Sequence, residues 1–511
     1  MADLKKAAVP EVDLNNYIID PEILSVLPES LARKHRMIPL FRIRNVLTVA
    51  IADPSDIVAT DEARNASACE IQVVKADVQK IISAIDQNYT VGNSIEDITH
   101  GLQNVGAELE MEGKTASLKI QKVSEEAPVV KLVNLIIAQA VKDRASDIHI
   151  EPEEEQARVR LRIDGMLHNL INFPRGLHLA VVRRIKVIAG LDIMDRKGPQ
   201  DGHFTLRMVD KEVDVRISTF PVIYGDKIVM RLLDRSGNLL TLEKLGFSGE
   251  LLREFESVIS KPFGIFLVTG PTGSGKTTTL YAALSKLNSA KKNIITLEDP
   301  REYFLKGINQ GEVDASIGLT FASGLRAILR QDPDIIMIGE IRDTETVQIA
   351  IRSALTGHLV LSTLHTNDSV GTISRLIDMG VDPFLISASL IGVLAQRLVR
   401  IICPNCKEQY APSPDIAEKL GLGSDKNHFI FRGKGCMHCK HTGYKGRVGV
   451  FEFLIMDDNL REMITKSRPV SEIKEYIRRK NFKTLQSDGF DKVRNGITTL
   501  DEVLRVTCGE D

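Results

Sequence analysis

The chain contains no tryptophan, and its 8 tyrosines and 17 phenylalanines amount to only 5% of its residues. Platforms that stack successive bases, and aromatic belts at a membrane surface, are therefore poorly supplied. Charge of one sign is lacking too. The 66 basic side chains face 68 acidic ones, a formal net charge of −2, so no overall basic field draws the chain to nucleic acid and no nucleic-acid partner is expected. Nowhere is there a run of about 18 apolar residues. The best candidate, VVKLVNLIIAQAV from Val129 to Val141, is broken by Lys131, Asn134 and Gln139, and its spacing suits an amphipathic core helix. The opening MADLKKAAVPEVDL has no apolar stretch of signal-peptide length. The chain reads as cytosolic, with membrane association left to partners.

What is present is length and apolar content. With 511 residues, 43% of them hydrophobic, the chain can build roughly three or four domains with substantial cores. The six cysteines are unevenly spread. Cys69 and Cys508 stand alone, while CPNC and CMHC form two pairs, Cys403 with Cys406 and Cys436 with Cys439. Disulfides are disfavoured in a reducing cytosol. Two facing C-x-x-C knuckles can offer four thiolates tetrahedrally to zinc, and with all four positions filled such a site is structural, without catalysis. The alternative is two independent knuckles, redox-active or idle.

Residues 1–89 read as a small α/β module, with strands in NVLTVAIADP and EIQVVKA and helices in ATDEARNAS and DVQKIISAIDQNY. Residues 90–127 are richer in Gly, Ser, Glu and Lys and read as a linker. Residues 128–241 open with a helix and continue as alternating strands: ASDIHIEP, ARVRLRIDGMLHNL, KEVDVRISTF and DKIVMRLLD. In ARVRLRIDG, Val159, Leu161 and Ile163 share one face and Arg158, Arg160 and Arg162 the other, expected to be a solvated face, before an Asp164-Gly165 hairpin turn. Arg216 and Arg231 are cations on two further strands near the next domain. Residues 242–400 alternate apolar strands with helices, as a parallel α/β sheet does. The cysteine module spans 401–445, and 446–511 is expected to be helical.

GPTGSGKTTT follows the apolar strand GIFLVTG and precedes the helix KTTTLYAALSKLN. It matches a phosphate-binding loop through Gly270, Gly275, Lys276 and Thr277, with Pro271, Thr272, Gly273, Ser274 and Thr278 completing the cradle. Gly273 and Gly275 let the backbone approach phosphate oxygens, and the helix N-terminus aims N–H groups at the anion. Lys276 would neutralise β/γ-phosphate charge, and the Thr277 hydroxyl would ligate Mg²⁺. DPDIIMIGE ends a buried strand on Glu340, where a carboxylate at a strand adjoining the loop can reach Mg²⁺ through water; the alternative is a strand-end acid facing solvent. NIITLEDPREY brings Glu298, Asp299 and Glu302 to another strand end. Glu298 is the first choice of general base and Glu302 the second, against the alternative of an N-cap and first-turn acid set. TGHLVLSTLHTND puts His358 and His365 at the two ends of a strand, where neutral imidazoles could donate to a γ-phosphate or sense its loss.

In this order GPTGSGKTTT, TLEDPREY, IIMIGEIRD and TGHLVLSTLHTND resemble the Walker A, Asp box, Walker B and His box of the type II secretion and type IV pilus assembly ATPases. The resemblance extends upstream through SDIHIEP, RLRIDG, PQDGHF, DVRIST and KIVMRLLD, and downstream through AQRLVRIICPNC and the second cysteine pair. It implies a multidomain α/β chain. A small α/β N-terminal domain for partner docking precedes a PAS-like second N-terminal domain. A RecA-like motor domain follows, with a zinc-binding insertion and C-terminal helices. It implies ATP, Mg²⁺ and Zn²⁺ as cofactors and a homohexamer whose ATP hydrolysis powers pilin or pseudopilin assembly. The ring would work on an inner-membrane platform protein, held at the membrane by a docking partner. Arg216 and Arg231 match arginines that reach the nucleotide, Glu298 a water-activating glutamate, Glu340 the Walker B acid, and His358 and His365 the His box. The alternatives are a retraction or DNA-transfer motor of the same superfamily, or a nucleotide-binding scaffold without turnover. The R-L-G-x-x-L signature that some relatives use for cyclic di-GMP is missing, so that ligand is not expected here.

Overall fold

The computed structural model describes residues 9–89 apart from 15, 16, 18, 20 and 25, and residues 127–507 apart from 196, 197, 209, 210, 235–239, 423–427 and 481. The expected linker, but for its last residue, and Cys508 lie outside the described residues. The chain divides into two compact units, Met1–Gly237 and Asn238–Asp511.

The first unit carries two sheets. The smaller runs β1 (Met37–Ile43), β2 (Val46–Ile51), β3 (Glu70–Lys75), with β1–β2 antiparallel and β2–β3 parallel. Pro39 sits inside β1, which an edge strand tolerates because the missing N–H can face outward. The parallel step is bridged by the helix Ile57–Ser67, capped where Asp56 Oδ1 accepts from Ala59 N at 2.9 Å.

The larger sheet contains β4 (Asp147–Pro152), β5 (Gln156–Ile163), β6 (Met166–Pro174), β7 (Gln200–Met208), β8 (Lys211–Val222) and β9 (Gly225–Asp234) in the order β6-β5-β4-β9-β8-β7. Its neighbours are all antiparallel. Asp164 (φ 49°) and Gly165 (φ 88°) both turn left-handed between β5 and β6, as a two-residue hairpin requires. Val159 and Leu161 face a core with Ile148, Val215 and Met230, closed by the helices Ala127–Lys142 and Arg175–Ile188. The first helix is the interrupted apolar run, burying Val129, Leu132, Val133, Ile136 and Ile137. The second helix and β7 have no counterpart in the sequence pattern, because β7 opens on Gln-Asp-Gly and lies at an edge.

The second unit is built on β10 (Gly264–Thr269), β11 (Ile294–Glu298), β12 (Asn309–Glu312), β13 (Ile335–Ile338), β14 (Leu359–Leu364), β15 (Leu390–Ile402) and β18 (Tyr444–Ile455), with β16 (Lys407–Tyr410) and β17 (Ile430–Gly433) in a separate two-stranded ribbon. The sheet order is β12-β11-β13-β14-β10-β15-β18, parallel except for the last pair. Helices cover both faces, so β10, β13 and β14 are buried throughout and read as continuous apolar runs. Ile265 and Leu267 enter one core and Phe266 and Val268 the other, each such side chain contributing about 1.5–3 kcal/mol.

Two expectations are corrected. The strand ending at Glu340 does not adjoin the loop-bearing strand, since β14 lies between β13 and β10. Residues 446–511 are not all helical either. They begin within β18, which pairs with β15 from Gly392 to Ile402, so the cysteine module is an insertion at the tip of a long hairpin.

Candidate active site

β10 ends at Thr269, and three glycines shape the turn into the helix Lys276–Leu287. Gly273 (φ 78°) and Gly275 (φ 87°) occupy left-handed backbone positions, and a Cβ on Gly270 would come within 2.5 Å of Gln396 O and 2.7 Å of Ser274 Oγ. Ser274 Oγ is buried with no hydrogen-bond partner among the described residues. An orphaned hydroxyl inside a loop where a Cβ would collide fits a site for phosphate oxygens. Pro271, Thr272 and Gly273 are exposed at its tip, and Thr277 and Thr278 are half-buried in the first helical turn. The buried Lys276 Nζ donates to Gly270 O (2.9 Å) and Pro271 O (3.0 Å), and burial brings its ammonium down to about 8. Glu340 and Glu302 are the carboxylates whose charge favours the ammonium there.

Glu340 follows β13. Arg342 donates to its carboxylate, and His365 Nε2 lies 3.3 Å from it. Burial alone would raise the Glu340 carboxyl, but these partners hold it below the usual carboxylate range. Arg342 also lies 3.4 Å from Asp299, tying the ends of β13 and β11 together. His365 is brought in by β14, whose end is pinned to β10 where Thr269 Oγ1 and Thr366 Oγ1 approach to 2.6 Å. His358 and His365 do flank β14 as expected, which puts His358 at the other end of the strand, roughly 20 Å from His365 for a six-residue strand and away from the phosphate loop. There its Nδ1 lies 3.0 Å from Ser353 O, a local contact behind the helix Thr344–Leu355.

The two Asp-box glutamates also part company. Glu298 is 1% exposed and fully engaged. Tyr281 OH donates to it, as do Thr296 Oγ1 at 2.6 Å and Gln310 Nε2 at 3.1 Å. Burial and the adjacent Glu298 hold the Tyr281 phenol far above its ordinary value, so it remains a donor. The same hydroxyl accepts from Glu302 N at 3.3 Å. Tyr281 thus links the helix behind the phosphate loop to the turn that carries Glu302, the half-buried acid whose charge reaches Lys276. No helix follows Asp299-Pro300, so the N-cap alternative falls.

Gln396 and Arg397 fall within AQRLVRIICPNC, where the sequence pattern assigns them no role; both line the loop from β15. Gln396 Oε1 accepts from Thr279 Oγ1 at 2.7 Å, and Arg397 donates to Gln396 O (3.1 Å) and Asn367 O (2.9 Å). Arg342, two residues from Glu340, and Tyr281, a polar tip within an apolar helix, are signals the sequence does contain.

In the first unit, cross-strand registers set His203, Arg216, Arg231, Asp147 and Arg162 side by side on β7, β8, β9, β4 and β5. Arg231 is exposed, and its Nε donates to Asp147 Oδ1 at 3.1 Å. The arginines of β5 are not simply solvated. Glu151, opposite them, accepts from Arg160 Nε at 2.7 Å and pairs with Lys227 at 2.9 Å; burial would raise its carboxyl, but these cations bring it to about 2.

The four paired cysteines meet beyond β15. Their sulfurs all lie within 4.8 Å of one another, with Cys403–Cys436 at 3.9 Å, Cys406–Cys439 at 3.8 Å and Cys436–Cys439 at 3.7 Å. A tetrahedron of about 2.3 Å zinc–sulfur bonds has edges of about 3.8 Å, so the residues present fit zinc. Burial would raise the Cys439 thiol, but the N–H groups of Cys436 and Gly443, 3.2 and 3.3 Å from its sulfur, help bring it to about 6. Among the described residues, no helix is long and apolar enough to cross a membrane.

Comparison with known proteins agrees with these features. The family described as "Type II/IV secretion system protein" matches residues 122–505, and an MshEN domain matches residues 7–93. The type IV pilus assembly ATPase PilB of Myxococcus xanthus is 45% identical over 514 aligned positions, covering 99% of this chain and 90% of that one. The type II secretion system protein E of Dickeya dadantii is 43% identical, covering 96% and 98%. A solved structure of the pilus retraction motor PilT with bound ADP is 28% identical with a TM-score of 0.50, covering 74% of this chain and 96% of that one. The ATPase DotB of Legionella pneumophila shares the fold at a TM-score of 0.55 and 21% identity, covering 73% and 94%.

Proposed function

The chain belongs to the type II/IV secretion system protein family, and from that premise we propose that it is an ATPase whose hydrolysis powers assembly of pilin or pseudopilin subunits. The observation that carries this reading is the convergence of Lys276, Glu340, His365 and Glu302 at the loop-bearing end of one sheet. The loop N–H groups and Lys276 bind and orient the phosphates. Glu302, set by Tyr281, takes the proton of the attacking water, while buried Glu298 keeps Tyr281 in place; the first-choice base is thus reassigned to the second candidate. His365 and Arg342 hold the Glu340 carboxylate ionised and aimed. Thr277 would ligate Mg²⁺ and Glu340 would hold its water. When bound, the ion screens the charge between β- and γ-phosphates.

The same reading gives the chain a homohexamer working at an inner-membrane platform from the cytoplasmic side, with membrane contact through partners. Arg216 and Arg231 would stabilise γ-phosphate charge in that ring, and their adjacency on one sheet row supports a joint role. Zinc in the four-cysteine cluster would be structural.

The test is phosphate release by the purified full chain with Mg²⁺ and ATP. The Glu340→Gln variant should lose about 10²–10³-fold in kcat. Equal release by wild type and variant would sink the motor and leave a nucleotide-binding scaffold.

A further inference from the structure

Where the sheet of the second unit ends, its backbone is left unfinished. β18 is the terminal strand. Phe451 N–H turns away from β15 and donates to Asp488 Oδ2 at 2.9 Å. A strand repeats every two residues, so Phe453 and Ile455 aim their N–H and C=O groups the same outward way, while Glu452 and Leu454 face β15. Met456 N, donating to Ile391 O at 3.3 Å, keeps that phase. Beyond Asp488, no described residue takes up the outward N–H groups of Phe453 and Ile455.

Along this edge lies a cavity of about 550 Å³. One wall is the helix Gly249–Ile259, presenting Glu250 and Glu254; the other is formed by Tyr476, Ile477 and Phe482. The two walls cover opposite faces of the sheet: Phe453 packs toward Phe255 of the first helix at 6.1 Å between ring centroids, whereas Leu454 shares a core with Ile477. The cavity therefore occupies the position of one more strand. Backbone donors and acceptors in such a slot require a partner.

The charges around it are unbalanced. Lys480 is paired with Asp457 at 2.8 Å, Lys483 with Asp491 at 3.4 Å, and Asp488 with Lys492. Glu250 and Glu254 are exposed, one helical turn apart, and form no ion pair with a described residue. Like charges at that spacing repel, which a cation between them would relieve.

We propose that this slot binds an extended segment of a partner protein, which adds a strand beside Phe453 and Ile455, seats alternate apolar residues between Phe453 and Ile477, and presents a basic residue to Glu250 and Glu254. The proposal goes beyond the ATPase reading and does not depend on it, because no residue of the phosphate site takes part.

The probe is a short capped peptide alternating valine and arginine, added to the full chain. Amide hydrogen exchange at Phe453 and Ile455 should slow about tenfold. The same peptide with alternate amide nitrogens methylated should give no protection. The exposed pair Glu250→Gln and Glu254→Gln should weaken binding about fivefold and leave ATP turnover unchanged. Unaltered exchange at saturating peptide would overturn the proposal, as would protection that survives both controls. Concentration-dependent protection without peptide would overturn it too, showing that two copies of the chain pair at this edge.

Discussion

Two stretches of β15 follow opposite rules. At its middle, Gln396 and Arg397 line a loop in which Ser274 Oγ has no partner among the described residues and the Lys276 ammonium is brought down to about 8 by burial. Just past its end, Cys403 opens a cluster in which the four sulfurs are mutual neighbours and Cys439 accepts backbone N–H groups. Unsatisfied buried groups cost free energy and persist where a ligand will satisfy them. A closed set of donors has no position left for a substrate and serves the fold instead. The same strand thus carries a site built to react and a site built to hold.

The largest test of that contrast is Cys403→Ser. Metal analysis should fall from about one zinc per chain to none, with the loss of a site worth about 10 kcal/mol or more in comparable structural centres. Protease sensitivity should rise within residues 401–445. Turnover should stay within about twofold, because the β15–β18 pairing from Gly392 to Val399 remains to hold Gln396 and Arg397. Collapse of turnover together with zinc would show that the two sites are one device.

At the reacting end, the two glutamates can be set against each other. Glu302→Gln should lower kcat about 10²–10³-fold with little change in KM. Glu298→Gln should act first on thermal stability, since its buried oxygens accept from Tyr281, Thr296 and Gln310. The reverse ranking would return the base to Glu298.

A smaller effect separates positioning from packing. Tyr281→Phe keeps the ring in its fully buried site and removes only the hydroxyl shared by Glu298 and Glu302 N. Turnover should fall about tenfold at constant KM, the loss of one or two buried hydrogen bonds. A lowered melting temperature with unchanged kcat would make Tyr281 a packing residue alone.

Much of this was legible from local pattern, and the remainder was not local. The turn at Asp164-Gly165, the buried runs of β10 and β13, and the loop glycines each announce themselves because a backbone conformation or a two-sided burial demands those residues. The neighbour relations did not. His358 and His365 look equivalent in sequence, yet one strand carries His365 to the site and leaves His358 at its far end. Glu298 and Glu302 look like one acid cluster, and only packing reveals that Tyr281 and Gln310 enclose the first. β14 comes between β10 and β13 because sheet order is set by which helices cover which face, information distributed over the whole unit.

The mildest test uses the depressed lysine itself. With its ammonium at about 8, Lys276 is mostly charged at pH 7 and half charged near pH 8, so ATP binding, which needs the cation, should weaken about twofold across that interval. Glu340, held below the usual carboxylate range, stays ionised throughout and adds no slope. Without nucleotide the sign reverses. The unfolded chain holds its lysine proton up to about pH 10.4, so the folded chain binds fewer protons between about pH 8 and 10.4, and this group's contribution to stability rises as pH climbs through that window. Binding titrations and melting curves over one pH series should therefore slope in opposite directions, and Lys276→Arg, which stays charged, should flatten both. Parallel slopes would mean that another group governs the loop, and the contrast with the closed cysteine end would lose its clearest electrostatic sign.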